Sequence, residues 1–132
     1  MTTVTTAPHP VATSAFRAGL ASSALVGVAN MLFTLVPTPS GQDGPPVAVV
    51  VVSAGLGLLS IVCAVAAWSS ANRLAVRLNA AALIIEALLT MPGFFVDIDA
   101  WIKIVGALAI ILTVVALVLT LRRERTPYTV TD

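Results

Sequence analysis

Charge is scarce in this 132-residue chain: Asp, Glu, Lys and Arg make up 10% of it, where soluble domains carry about a quarter. A water-soluble fold of this size could not cover its surface with so few ionised groups, so an ordinary soluble domain is excluded. The 7 basic and 6 acidic side chains nearly cancel to a net +1. Nothing in that balance points to a nucleic-acid partner or a strongly acidic ligand. Cysteine is nearly absent too. Cys63 stands alone inside an apolar run, which excludes an intramolecular disulfide and any CxxC zinc or redox site, and it reads as a small buried hydrophobe. The single histidine, His9, lies between two prolines in the N-terminal tail. No nucleophile has a base at a useful spacing, no ligand set fits a metal, and no glycine loop is built for phosphate. The sequence therefore predicts a non-enzymatic protein without cofactor or metal.

Apolar residues are what is there, at 58% of the chain and a mean hydropathy of +1.03. A helix needs about 20 predominantly apolar residues to cross the hydrocarbon layer. Four stretches qualify: Ala18 to Val36, Val47 to Trp68, Leu74 to Val96 and Trp101 to Leu121. The valine-rich start of the second would read as a strand in water, but in lipid the backbone must bond within its own segment, so a helix is expected. Met1 to Ala15 lacks a basic n-region and the apolar run after it is too long for a signal peptide, so that run is expected to remain as a span. Residues 1–15 and 126–132 are polar and proline-containing and read as disordered tails flanking a transmembrane domain over 16–125. The expected fold is all-α, a transmembrane four-helix bundle.

Basic residues set the orientation. Threading the chain four times puts Arg17, Arg73, Arg77, Arg122, Arg123 and Arg125 on one side and only Lys103 on the other. By the positive-inside rule both termini are then cytoplasmic, with Asp43, Asp97 and Asp99 in outer loops and Trp68 and Trp101 at opposite interfaces. Arg73, Arg77, Arg122, Arg123 and Arg125 read as anchors to lipid headgroups, snorkelling towards an anionic surface. The lipid bilayer is thus the first expected partner.

Displacing the chain against itself by 56 positions aligns Arg17 with Arg73, Ser23 with Asn79, Asn30 with Glu86, Leu32 with Leu88 and Thr34 with Thr90. A displacement of about 53 aligns Ser53 with Gly106, Ser60 with Thr113 and Ala67 with Thr120. The chain reads as two in-out-in hairpins of common design, a parallel repeat about an axis along the membrane normal. Each span also carries a stripe of small or weakly polar residues at helical spacing, such as Gly19, Ser23, Gly27, Asn30 and Thr34 in the first and Ser53, Gly57, Ser60, Ala64 and Ala67 in the second. The third offers Asn79, Ala82, Glu86, Thr90 and Gly93, the fourth Gly106, Ala109, Thr113, Ala116 and Thr120. Helices in lipid associate through such faces, so the four stripes should meet.

Glu86 is the residue that needs a reason. It sits in AALIIEALLTM, six residues and roughly 9 Å of helix inward from Pro92. An ionised, unpaired carboxylate at that depth costs several kcal/mol, and such groups face the bundle interior. It could be protonated, since burial disfavours the charged form. It could bond to Asn30, which the repeat puts at equal depth. It could pair with Lys103, reaching down from the outer interface. A polar cluster of Glu86, Asn30, Lys103, Ser53 and Thr90 is expected, either fixing how the hairpins dock or serving a proton-coupled transporter with Glu86 as carrier. Association into a homodimer or a larger membrane complex is the further expectation.

A tryptophan closing the second span, a short turn, then RLAVRL leading into LLTMPGFF and DIDAWIKI resembles small uncharacterised four-span membrane proteins of high-GC Gram-positive, actinobacterial type. The resemblance covers Trp68 to the C-terminal arginines. It implies a bacterial plasma membrane location and supplies no activity. Small multidrug exporters also pair four helices with a membrane glutamate, but theirs is in the first span, where this chain has Asn30.

Overall fold

The computed structural model describes residues 13–37, 40 and 44–122. His9, Asp43, Arg123, Arg125 and most of both expected tails lie outside the described residues. Four long helices account for most of the rest: α1 (Ser14–Phe33), α2 (Val47–Ser70), α3 (Arg73–Thr90) and α4 (Ala100–Leu121), with a 3-10 turn over Met91–Phe94 after α3. Each of the four is long and apolar enough to cross a bilayer, α3 with its 3-10 extension included. No strand occurs among the described residues, the valine run at the start of α2 included.

The helix ends follow local chemistry. α1 begins at Ser14, earlier than expected and inside what the sequence suggested was tail, because Thr13 caps it: its Oγ1 accepts from the Phe16 amide at 3.3 Å. α2 runs to Ser70, where the Ser69 and Ser70 hydroxyls both donate to the Ala66 carbonyl. Ala71 then turns the chain with φ 48°, and Asn72 caps α3 by accepting from the Leu74 amide at 2.9 Å. The α2–α3 connection is thus two residues long. α3 stops at Thr90, short of the expected Val96. Pro92 has no amide to donate and its ring crowds the preceding turn, so the chain tightens into the 3-10 turn there.

α1 packs along both α2 and α4, α2 also packs along α3, and α3 meets α4 over a smaller stretch. The order round the bundle is α1, α2, α3, α4, so α1 and α3 face each other across a diagonal. The interior is inverted relative to a protein in water. Small and polar side chains are buried, among them Ser23, Ser60, Asn79, Glu86, Ala67 and Ala116, while Leu25, Val62, Leu88, Leu108 and Ile111 point outward. Large apolar side chains outside and polarity inside is the arrangement a hydrocarbon solvent selects.

Glycine allows the closest approach. A Cβ on Gly27 would lie 2.6 Å from the Gly57 carbonyl oxygen, and one on Gly57 would lie 2.8 Å from that of Gly27. α1 and α2 therefore cross backbone to backbone at this pair. At the end where α1 begins, Leu20, Ala64, Ala67 and Ala75 form an apolar cluster joining α1, α2 and α3.

Candidate functional site

Glu86 is 4% exposed and faces the interior from α3. Across the diagonal the Asn30 amide, Nδ2, donates to Glu86 Oε2 at 2.7 Å. That is the partner expected from equal depth on the two hairpins. The other carboxyl oxygen, Oε1, is buried without a hydrogen-bond partner. One turn outward, the Thr90 hydroxyl donates at 2.8 Å to the backbone carbonyl of Glu86, not to its carboxyl group. Thr90 is thus a neighbour of the site whose hydroxyl is taken by its own helix.

Two expected members stand apart. Lys103 is half-buried on α4 and makes no bond to Glu86: Oε2 is held by Asn30 and Oε1 has no partner. The register explains it. Gly106 packs beside Thr90 and Phe94, so Glu86 lies about one turn inward of that level and Lys103 about one turn outward, roughly 10 Å apart along the axis. Ser53, half-buried on α2, forms no hydrogen bond to Glu86; its stripe brings Gly57 to Asn30 and buries Ser60 one turn further in.

A second polar pair had no place in the expected cluster. Seven residues below Asn30 and Glu86 on their helices, Asn79 Nδ2 donates to Ser23 Oγ at 3.0 Å, and the Ser23 hydroxyl donates to the Gly19 carbonyl at 2.9 Å. Both side chains are essentially inaccessible. Their alignment in the repeat was the available signal. Asn79 Oδ1 and Ser60 Oγ are buried without partners, like Glu86 Oε1.

Between the two polar pairs lies an apolar layer of Val26, Leu83 and Ala116, flanked by Leu112 and Leu117. Val26 falls between Ser23 and Asn30 on α1, and Leu83 between Asn79 and Glu86 on α3. The interior is therefore polar, apolar and polar again along its length. A cavity of about 240 Å³ opens on the outside between α1 and α2 and is lined by Leu20, Ala24, Ala64 and Trp68 among others, with no contribution from the Glu86 layer.

No protein-family model, curated protein or solved structure matches this chain. Among the described residues no cluster of His, Cys, Asp and Glu could hold a metal ion. Of the expected headgroup anchors, Arg73, Arg77 and Arg122 are exposed at the end of the bundle where α1 begins, together with Arg17.

Proposed function

We propose that this is a small non-enzymatic multi-pass protein of a bacterial plasma membrane, a structural or accessory component that associates with itself or with a larger membrane complex. One observation carries the reading. The Asn30–Glu86 bond and the Asn79–Ser23 bond each tie α1 to α3 across the bundle, and the Val26–Leu83–Ala116 layer separates them. Bonds of this kind fix which helices face each other and at what register, and an apolar layer between them interrupts any polar route. Both bonds join residues 56 apart in sequence, which supports two hairpins of common design about an axis along the membrane normal. The arginines gathered at the end where α1 begins support cytoplasmic termini.

A second reading, a proton-coupled transporter with Glu86 as carrier, draws support from the unpartnered Oε1. A carboxyl oxygen free of partners is one that can exchange a proton if water reaches it. Reconstitution into liposomes loaded with a pH-sensitive dye separates the two. The accessory role predicts proton leakage no faster than in protein-free vesicles, before and after Glu86→Gln, with the variant still assembling as the parent does in native mass spectrometry. Proton flux that Glu86→Gln abolishes would establish the transporter instead.

A further inference from the structure

The cavity between α1 and α2 lies at the end of the bundle that carries the arginines. The buried Leu20 and Ala64 form its floor, Ala21 and Ala24 its α1 wall, and Trp68 closes it towards the arginine-bearing end. From Ala24 to Leu20 the lining follows four residues of α1, roughly 6 Å of helix, and Arg17 stands about one turn further towards the helix start, so the groove runs along the helix axis with the arginine at its end. At its mouth the Arg17 guanidinium stacks on the Trp68 ring, 5.7 Å from the centroid. That stacking holds a cation at one fixed place, where a free arginine would sweep through many. The described acidic residues, Glu86, Asp97 and Asp99, all belong to the opposite half of the chain's path. Arg17, stacked on a residue of the cavity lining, stands at the mouth of an apolar slot.

We propose that this groove is a binding site for one anionic glycerophospholipid of the cytoplasmic leaflet, its phosphate on Arg17 and the upper part of one acyl chain between α1 and α2. The two halves of the site match the two halves of such a lipid. A guanidinium pairs with phosphate by charge-assisted hydrogen bonds, and an alanine-walled slot accepts a chain without displacing larger side chains. Arg73, Arg77 and Arg122 add a general attraction to anionic surface. Arg17 differs from them in being locked beside the slot.

Trp68 reports on its own occupant. In a Trp101→Phe background it is the single tryptophan, and lipids brominated on the acyl chain quench it when they sit in contact. The protein is reconstituted into phosphatidylcholine vesicles containing equal mole fractions of brominated phosphatidylglycerol or brominated phosphatidylcholine at physiological salt. The expected result is a preference of about fivefold for the anionic lipid, the effect of one arginine held at the surface. Arg17→Gln should bring the ratio close to one, while Arg73→Gln leaves it standing. Ala21→Leu, which narrows the slot from an exposed position, should weaken quenching by both lipids. Equal quenching by the two lipids in the parent, or a preference that survives Arg17→Gln, would overturn the assignment.

Discussion

Glu86, buried, and Asn30, half-buried, show how a single polar pair constrains a bundle. With the carboxyl replaced by a hydrocarbon in Glu86→Leu, the half-buried Asn30 amide loses its acceptor in the bundle interior, and the expected loss is about 1–3 kcal/mol. Glu86→Gln keeps an acceptor oxygen at the same place and should cost less than about 1 kcal/mol. Equilibrium unfolding in bicelles measures both. A double-mutant cycle of Asn30→Ala and Glu86→Ala should give a coupling of about 0.6–1.7 kcal/mol, the range of interhelical hydrogen bonds in membranes. Zero coupling would mean that the 2.7 Å contact contributes nothing to docking. This pair could be read from the sequence because both residues are polar, intramembrane and at equal depth in a repeated hairpin. Lys103 could not, because its distance from Glu86 depends on the register of α4 against α3. The 3-10 turn and the five residues from Phe95 to Asp99 that set this register have no periodic signal to reveal it.

Helices show the same division between what composition dictates and what packing decides. Span number followed from hydropathy, but the ends moved wherever a side chain intervened, Thr13 extending α1 backward and Pro92 stopping α3 early. Which glycines matter was hidden as well. Gly27 and Gly57 are pressed against each other's carbonyl oxygens, whereas a Cβ on Gly55 would meet nothing within 4 Å. Gly27→Ala and Gly57→Ala should each destabilise the bundle by about 1–3 kcal/mol, the typical cost of overpacking. Gly55→Ala should be neutral or stabilising by up to about 1 kcal/mol, because alanine is the better helix former. Thermal unfolding in a mild detergent compares the three side by side. The α2–α3 turn offers the opposite case. Ala71 holds φ 48°, a region where a Cβ costs about 1–2 kcal/mol. Ala71→Gly should therefore raise stability by about 1 kcal/mol, and a decrease would mean that the turn draws its rigidity from the methyl group.

At the scale of the whole molecule, the two ends of the bundle are chemically unlike. One end gathers Arg17, Trp68, Arg73, Arg77 and Arg122; the other has Asp97, Asp99 and Lys103, with Phe33 and Trp101 in tilted contact at 6.5 Å between centroids. Four helices long enough to cross a bilayer and this segregation of charge were legible in the sequence, because apolar stretches of that length are bounded by the turns that carry the charged residues. The order of helices round the bundle was not, since any stripe of small residues can meet any other. The ends also supply a direct test of orientation. Cys63 is buried, so a Cys63→Ala background leaves a chain free of thiols to which single cysteines can be added at exposed turns. Ser69→Cys lies at the arginine-rich end and Val96→Cys at the other. A membrane-impermeant maleimide applied to intact cells should label the cysteine at position 96 and reach position 69 only after the cells are opened. Labelling of both in intact cells, or of position 69 alone, would mean that charge at the helix ends does not govern how this chain inserts. The cytoplasmic assignment of its termini would fall with it, while a bundle held by its two cross-bundle hydrogen bonds would stand.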